Sequence, residues 1–414
     1  MNFLKGNAVV GQSGGPTAAI NATLAGVIRG AKAAIAEGYI GKVYGMRNGI
    51  EGFMREDLVD MSSYSEEDLA CLSHTPAAAL GSCRFRLGDP ERAADDYETV
   101  LRVLKAHDIR YVFYIGGNDS MDTVLKLSRY AVSVGYELRV IGVPKTIDND
   151  LVCTDHTPGF GSAAKYIATT VKEMLRDIAV YTVRAVTIVE IMGRDAGWLT
   201  TAAALAGVND GIGPDLIYLP EKPFSIEQFV EDIQRVQMQH PAVLVAVSEG
   251  IRFADGTYVS AGTSSDAKDV FGHTYLAGAG KALERVVKER LGCKVRSVEL
   301  NLPQRCASHV SSLTDIEESL TIGAAAVTAA KEGKSGVMMT FVRQADEPYA
   351  VTVAAEDIGG IANAIRSVPD EYINDEANGV TDACMRYLKP LILGEVPLVF
   401  EGGVPKHFII DRKG

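Results

Sequence analysis

Strand-length apolar runs alternate with stretches of helical periodicity along most of this chain. The eight runs are AVVGQ (8–12), KVYGM (42–46), YVFYIGG (111–117), LRVIGVPK (138–145), AVTIVEIMG (185–193), AVLVAVSEG (242–250), VRSVELN (295–301) and GVMMTFV (336–342). Most of them end in glycine or in a polar turn, which is typical of buried strands. Strands that alternate with helices form mostly parallel sheets with helices on both faces, so the pattern predicts an α/β fold.

The length of 414 residues exceeds what a single hydrophobic core usually serves. Because the strand and helix pattern restarts after about residue 160, we expect two Rossmann-like, three-layer αβα domains with mostly parallel sheets and the active site in the cleft between them. The first domain would comprise residues 1–160 and about 306–355. The second would comprise about 161–305 and part of the C-terminal region. Residues from about 356 to 414 would form a helical appendage, in which DEYINDEANGVTDACMRYLKPLI (370–392) is expected to be helical.

Composition narrows the class of partner and the compartment. The formal net charge of −12 argues against a nucleic-acid or anionic-membrane surface, since either would need a basic face. The six cysteines never form a CxxC pair, which favours reduced thiols over a zinc site or a disulfide framework. We find neither a signal peptide nor 18 consecutive apolar residues, so we expect a cytoplasmic protein without a membrane span.

Ligands of open α/β sheets bind beyond the carboxyl ends of the strands, so the turns after the apolar runs are the informative segments. GQSGGPTAAIN (11–21) is glycine-rich and opens a helix, and it is equally compatible with an anion site and with a plain turn. GGNDS (116–120) repeats this arrangement, but on its own Asp119 is more typical of a helix cap than of a ligand site.

The turn PKTIDND (144–150) carries both charges. Asp148 could accept a proton from a substrate hydroxyl, and an Asx-rich turn does not explain why Lys145 lies beside it. In EIMGRDAGWLT (190–200), Arg194 follows a buried strand, where a phosphate-binding fork is the natural role for a guanidinium. Glu249 and Arg305 also lie at the ends of apolar runs.

The motifs together carry a family resemblance. The segments GQSGGPTAAIN, LGSCR (80–84), GGNDS, PKTIDND, EIMGRDAGWL, SEG (248–250) and PQR (303–305) resemble the phosphofructokinase family in order and approximate spacing over roughly residues 7–315. At the corresponding positions, ATP-dependent members of the family carry segments similar to GGDGS and PGTIDND. Asp119 and Lys145 of this chain therefore each replace a glycine. In the family, these two replacements accompany the use of pyrophosphate.

The resemblance implies a phosphotransferase that reversibly moves a phosphoryl group from pyrophosphate to the 1-hydroxyl of fructose 6-phosphate, with Mg²⁺. It implies that Asp148 is the general base and that Lys145, Asp119 and Thr146 are the other catalytic residues. The implied pyrophosphate contacts are Gly14, Gly15, Arg84, Gly117 and Lys145. The implied sugar-phosphate contacts are Thr146, Ile147, Asp148, Met192, Gly193, Arg194, Glu249 and Arg305. Asn118 stands where ATP users have a magnesium-associated aspartate, and it is the candidate metal contact.

Electrostatics agrees with the implied donor. A carboxylate about 4 Å from a phosphate charge costs about 4 kcal/mol at an effective dielectric constant near 20, so Asp119 would exclude ATP where Lys145 attracts the inorganic donor. The alternatives are an ATP-dependent sugar-phosphate kinase and a non-catalytic sugar-phosphate sensor on the same fold. A dinucleotide-binding enzyme is disfavoured because GFGSAAK (159–165) does not follow a strand.

The resemblance further implies a homodimer or homotetramer. Whether sedoheptulose 7-phosphate is accepted, and whether the enzyme is regulated, stays open at this point.

Overall fold

The computed structural model describes residues 4–261, 278–361 and 364–410. Its strands are β1 (Gly6–Gln12), β2 (Ile40–Met46), β3 (Leu58–Asp60), β4 (Ile109–Gly116), β5 (Arg139–Pro144), β6 (Ala185–Ile191), β7 (Leu216–Tyr218), β8 (Ala242–Ser248), β9 (Lys294–Glu299), β10 (Val337–Asp346), β11 (Tyr349–Asp357), β12 (Phe400–Glu401) and β13 (Val404–Pro405). Its α-helices are α1 (Ile20–Ala36), α2 (Gly49–Met54), α3 (Glu66–Ser73), α4 (Ala94–Ala106), α5 (Asn118–Ser133), α6 (Phe160–Ile178), α7 (Trp198–Thr201), α8 (Ile226–Gln237), α9 (Ala279–Leu291), α10 (Pro303–Cys306), α11 (Leu313–Lys331) and α12 (Asp382–Leu388). Short 3₁₀ helices occupy Ala202–Gly207, Ser308–Val310, Ile358–Gly360, Asp370–Tyr372 and Lys389–Ile392.

The larger sheet has seven strands in the order β11-β10-β5-β4-β1-β2-β3. Its five central strands run parallel, and only the edge strands β3 and β11 run antiparallel to their neighbours. The smaller sheet contains four parallel strands in the order β7-β8-β6-β9. All eight apolar runs form strands, and the predicted α/β class with mostly parallel sheets is confirmed.

Interior strands of the two sheets, such as β6 and β1, explain why the sequence pattern predicted the strands. All seven residues of β6 are buried, as are the last five of β1. Successive side chains of a strand point to opposite faces of the sheet. When helices cover both faces, all of these side chains lie in a core, so the strand must be apolar along its whole length. The polar residues are therefore confined to the turns that follow, and parallel strands place those turns at one edge of the sheet.

The C-terminal region is less helical than expected. Within the predicted helix of residues 370–392, the α-helix spans only Asp382–Leu388. The preceding segment forms a turn, in which the Asn374 side-chain oxygen accepts from the Asn378 amide at 3.0 Å and Ala377 has φ +56°. Asparagine side chains stabilise such turns in competition with helix, so the helix begins only after Thr381, whose side chain caps it.

Residues 368–391 pack into a hydrophobic core beside the smaller sheet, which we call the second core. Val368, Tyr387, Leu388 and Leu391 are at most 6% exposed and belong to the same hydrophobic cluster as residues of α6 and β6. The domain boundaries themselves stay a prediction. Among the helices of the described chain, we found none with the length and apolarity that crossing a bilayer requires.

Candidate active site

The polar turns of the two sheets face each other across a cleft with a volume of about 410 Å³. The turns after β1, β4 and β5 form one side, and the turns after β6 and β8 form the other. The residues that line the cleft are Ser13, Gly14, Gly15, Arg84, Gly117, Asn118, Asp119, Ser120, Lys145, Thr146, Asp148, Asp150, Met192, Arg194, Asp195, Ala196, Glu249 and Ile365. Residues from both halves of the sequence therefore share one site.

The loop after β1 presents backbone to the cleft. Gly14 has φ +76°, a conformation that L side chains rarely adopt, and a Cβ there would lie 3.3 Å from the Lys145 Nζ. Two hydrogen bonds to the LGSCR segment hold this loop in place. The Gly14 amide donates to the Cys83 carbonyl at 3.2 Å, and the Ser82 hydroxyl donates to the Gly14 carbonyl at 2.6 Å. The LGSCR segment thus holds this glycine turn as well as contributing Arg84 to the cleft.

Lys145 is a buried cation at the end of β5. Its side chain is almost fully enclosed, and its Nζ donates to the Gly15 carbonyl at 2.5 Å. Burial lowers the pKa of Lys145 to about 8; Asp148 opposes this effect, whereas Arg305 and Arg84 lower the pKa further. The two guanidinium groups thus disfavour the charge of Lys145, and an anion bound beside all three side chains would stabilise it.

Helix α5 begins at the cleft. Gly117, Asn118, Asp119 and Ser120 all line the cleft, so the N-terminal turn of the helix, with its unpaired amide groups, faces the same space. The Asn118 Nδ2 donates to the Ala364 carbonyl at 3.1 Å, while its Oδ1 is buried without a hydrogen-bond partner in the described part of the chain. Asp119 adds a negative charge where the helix N-terminus alone would favour an anion.

The turn after β5 carries two carboxyl groups. The Thr146 hydroxyl accepts from the Asp148 amide at 3.1 Å and lies 3.5 Å from the Asp148 Oδ2. Burial raises the pKa of Asp148, while Arg194 and Lys145 lower it. Burial, together with the neighbouring Asp148, raises the pKa of Asp150 to about 7. Burial thus raises the pKa of both carboxyl groups, and a raised pKa makes a carboxylate a stronger proton acceptor.

The opposite side of the cleft is built on β6 and β8. Gly193 has φ +132°, and its amide donates to the Glu249 Oε1 at 3.2 Å. The Ser248 hydroxyl donates to the Gly193 carbonyl at 2.6 Å, so the two turns are bonded together. Burial raises the pKa of Glu249 to about 7. The Arg194 Nε is buried and has no hydrogen-bond partner among the residues described, which leaves it available to a ligand.

The structure brings most of the sequence-predicted residues together. All of them line the cleft except Ile147, Gly193 and Arg305. The Ile147 side chain is 5% exposed and packs in the second core, because it alternates with the cleft-facing Thr146 and Asp148. Gly193 does not line the cleft itself but is hydrogen-bonded to Glu249, which does. The Arg305 Nη1 would lie 3.2 Å from a Cβ on Gly15, which places this guanidinium beside the first glycine turn. The individual binding roles stay predictions.

Six lining residues were not among the predicted site residues: Ser13, Ser120, Asp150, Asp195, Ala196 and Ile365. Five of them belong to the motifs already quoted. The sequence motifs therefore pointed to these residues, but too few residues of each motif were predicted to belong to the site. Asp195, for example, forms a 2.7 Å ion pair with Arg252. Ile365 belongs to no motif and lies far from the others in sequence.

Comparison with known proteins is consistent with this arrangement. Residues 7–310 match the phosphofructokinase family model. A pyrophosphate–fructose 6-phosphate 1-phosphotransferase from Halomonas elongata is 44% identical over 402 residues, which cover 97% of this chain and 95% of that protein. The enzyme of the same name from Methylococcus capsulatus is 42% identical over 403 residues, with the same coverage of 97% and 95%. The crystal structure of a pyrophosphate-dependent phosphofructokinase from Marinobacter aquaeolei superposes with a TM-score of 0.87 at 39% identity, covering 99% of this chain and 98% of that one.

Proposed function

The chain belongs to the phosphofructokinase family, and on this premise we propose that it transfers a phosphoryl group from pyrophosphate to the 1-hydroxyl of fructose 6-phosphate. The products are fructose 1,6-bisphosphate and phosphate, and the reaction is reversible, which suits both glycolysis and gluconeogenesis. The observation that carries the proposal is the presence of Lys145 and Asp119 in one cleft, beside the two glycine turns.

Pyrophosphate binds on the side of the cleft formed by the first sheet. Gly14, Gly15 and Gly117 let backbone amides approach its oxygens, and Lys145 and Arg84 supply positive charge. Burial lowers the pKa of Lys145, so an incoming phosphate would stabilise a buried charge that burial disfavours. Asp119 occupies the same side and repels any donor that would place a further phosphate there.

Asp148 acts as the general base. It removes the proton of the sugar 1-hydroxyl while that oxygen forms a bond to the nearer phosphorus of pyrophosphate. The bond between this phosphorus and the bridging oxygen breaks, and the second phosphate leaves with the bridging oxygen and its charge. Burial raises the pKa of Asp148, and Arg194 and Lys145 partly oppose this effect by favouring the carboxylate. Lys145 also stabilises the charge on the transferring and leaving oxygens.

The sugar phosphate binds on the side of the cleft formed by the second sheet. Arg194, with its unpartnered Nε, is suited to the 6-phosphate, and Glu249 is suited to the sugar hydroxyls. Met192 lines the cleft between them. The bond between the Gly193 amide and Glu249 keeps these groups at a fixed separation, so that the 1-hydroxyl is presented to Asp148.

The residues of the cleft fit a magnesium ion that is held mainly by the donor. The described ranges contain no group of three or more His, Cys, Asp or Glu residues that could hold a metal alone. Mg²⁺ commonly binds through substrate phosphates and one or two protein oxygens. The buried, unpartnered Oδ1 of Asn118 and the carboxyl group of Asp150 would supply those oxygens. When bound, Mg²⁺ neutralises charge on the phosphate oxygens.

The assembly and compartment are part of the same proposal. We infer a homodimer or homotetramer in the cytoplasm, acting on small-molecule substrates without nucleic-acid or membrane partners. All six cysteines are free thiols, in agreement with a reducing compartment. Light scattering coupled to size-exclusion chromatography measures the oligomeric state directly.

A donor-comparison assay tests the function. Purified protein is incubated with fructose 6-phosphate and Mg²⁺ and with either pyrophosphate or ATP, and fructose 1,6-bisphosphate is measured. We expect turnover with pyrophosphate and at most a trace with ATP. Turnover with ATP alone would show an ATP-dependent kinase, and binding of sugar phosphate without turnover of either donor would show a sensor. A parallel titration with sedoheptulose 7-phosphate measures the breadth of acceptor use.

A further inference from the structure

A short segment of the C-terminal region forms part of the cleft wall. We call residues 364–368 the C-terminal strap; it follows the residues that match the family model, which end at position 310. Its Ile365 lines the cleft and is 50% exposed, whereas Val368 at its other end is buried in the second core. The strap therefore runs along the edge of the active site.

The backbone of the strap forms hydrogen bonds with two cleft residues. The Ala364 carbonyl accepts from the Asn118 side chain at 3.1 Å, and the Arg366 amide donates to the Asp150 carbonyl at 2.8 Å. A carbonyl can only accept a hydrogen bond, so the first contact requires the Asn118 NH₂ group to face the strap. It thereby leaves the Asn118 Oδ1 as the free acceptor of that side chain.

The strap is also bonded to the sugar side of the cleft. The Trp198 Nε1 donates to the Arg366 carbonyl at 2.9 Å. The Glu221 Oε1 accepts both from the Val368 amide at 3.0 Å and from the Gly197 amide at 2.8 Å. Gly197 and Trp198 belong to the same motif as Arg194, so one short segment joins the turns of both halves.

The Arg366 side chain holds the strap in position through hydrogen bonds. Its guanidinium donates to the Thr154 carbonyl at 2.9 Å, to the Asp155 carbonyl, and to the Tyr387 hydroxyl at 3.0 Å. Its Cζ lies 4.4 Å above the Trp198 ring. A planar guanidinium whose donors are satisfied in several directions has little freedom to rotate.

Tyr387 connects the Arg366 side chain to the turn of residues 148–150. Its hydroxyl accepts from the Asn149 Nδ2 at 2.9 Å and donates to the Asp155 carbonyl at 2.7 Å. Asn149 lies between Asp148 and Asp150, is fully buried, and has φ +54°. Arg366 thus reaches the turn of residues 148–150 by two routes, through the Tyr387 hydroxyl and through its own amide.

The turn needs such support. It holds two buried carboxyl groups that repel each other, and the non-glycine residue between them has a left-handed backbone. Charge repulsion and backbone strain both favour the opening of this turn, and within the turn itself the hydrogen bond from the Asp148 amide to the Thr146 hydroxyl opposes it. The bonds from the C-terminal region supply the restraint from outside the turn.

We propose that Arg366 and Tyr387 are positioning residues that hold the turn of residues 148–150 in its reactive geometry by means of the C-terminal strap. The inference rests on the proposed function for the role of Asp148 as base. It predicts a loss of turnover rather than of substrate binding, because the residues that contact the substrates are unchanged and only the placement of the base is affected.

The test compares two substitutions that delete a hydroxyl group from the same aromatic cluster. Tyr387→Phe removes the hydroxyl that binds Asn149. Tyr349→Phe removes a hydroxyl that donates to the Glu318 Oε1 at 2.8 Å and has no bond to the turn. Both rings lie beside the Arg343 guanidinium, with centroids 4.5 and 5.2 Å from its Cζ. The pair is thus matched in chemistry and surroundings.

We expect Tyr387→Phe to lower kcat by about 10- to 100-fold, as a small misplacement of a catalytic group can do, and to change either KM by no more than about twofold. Tyr349→Phe should retain kcat within about twofold of the wild type. Melting temperatures measure how far each variant is destabilised, and kcat is calculated per folded enzyme. Equal kcat values for the two variants would overturn the proposal.

A second pair tests the strap itself. Arg366→Ala should reproduce the loss in kcat, and Arg366→Lys should recover only part of it, since lysine keeps the charge but not the planar fork. If both variants lose stability and keep the wild-type kcat per folded enzyme, the strap is only structural and the proposal fails. The measurements use whichever donor the wild type accepts, so a wrong donor assignment is recognised in the wild type and does not affect the comparison.

Discussion

Substituting Lys145 by methionine should stabilise the ligand-free protein while it removes activity with pyrophosphate. The side chain of Lys145 is 3% exposed and its pKa falls to about 8 from an ordinary value of 10.5. The protonated lysine is therefore disfavoured by folding, and a methionine of similar length fills the space without that cost. A residue retained against stability is expected where function requires a charge.

The magnitude follows from the pKa. At about 1.4 kcal/mol for each tenfold change in acidity, the depression corresponds to about 3 kcal/mol. The bond to the Gly15 carbonyl offsets about 1 kcal/mol, so we expect the free energy of unfolding of Lys145→Met to rise by about 2 kcal/mol at pH 7. Loss of the charge about 4 Å from a phosphate removes about 4 kcal/mol at an effective dielectric constant near 20, which corresponds to roughly a thousandfold in kcat/KM for pyrophosphate.

The pH dependence has a definite sign. Below pH 8 the lysine is charged in both the folded and the unfolded protein, and the full penalty is present. Between about pH 8 and 10.5 only the unfolded protein binds the proton, so wild-type stability contributed by this group rises with pH. The advantage of Lys145→Met should therefore be largest near pH 7 and shrink steadily as the pH rises above 8.

Denaturant titrations of both proteins at several pH values, together with steady-state kinetics, test this reasoning. Lys126→Met is the control, because Lys126 lies outside the cleft and forms a 2.8 Å ion pair with Asp122. It should gain no stability and retain kcat/KM within about twofold. The reasoning is refuted if Lys145→Met is less stable than the wild type at pH 7 or if it uses pyrophosphate as well as the wild type does.

Three further substitutions test the remaining parts of the site. Asp148→Ser should lower kcat by about 10² to 10⁴ and leave fructose 6-phosphate binding nearly intact by calorimetry; unchanged turnover would remove Asp148 from the mechanism. Asp119→Gly should allow measurable ATP binding by removing the repulsive carboxylate, and continued exclusion of ATP would place the block elsewhere. Ile365→Ala should admit water to the cleft. In the absence of sugar phosphate, the release of phosphate from pyrophosphate should then rise by about threefold or more, because the wild-type side chain helps to exclude water from the site. Ile212→Ala, which alters a side chain of equal size at 48% exposure outside the cleft, is its control; equal release from both variants would refute a shielding role.

The strand order and the site motifs differ in how far they could be predicted. The eight strands were predictable because each contains a strand-length apolar run, a property of local composition, although none of the residues of β9 is fully buried. Strand β11, in contrast, alternates half-buried and exposed residues at the sheet edge, and it was not predicted. The helix expected over residues 370–392 was wrong for its first half, because side-chain bonds from Asn374 stabilise a turn there.

The residues of the cleft were predictable where they follow a strand. Gly14, Asp119, Lys145 and Asp148 lie in turns that a parallel sheet must place at the same edge, so the order of the motifs along the chain was sufficient. Ile365 and Arg366 were not predictable in this way, because they reach Asp150 from more than 200 positions away along the chain.

The sequence by itself therefore determined the class of fold, the family and the chemical groups of the site, since these depend on residue type and on spacing over a few tens of residues. Only the tertiary structure decided how deeply Lys145 is buried, which carboxyl groups have a raised pKa and which distant segment supports their turn. The physical reason is that desolvation and charge pairing depend on every neighbour in space, and most of those neighbours come from other parts of the chain.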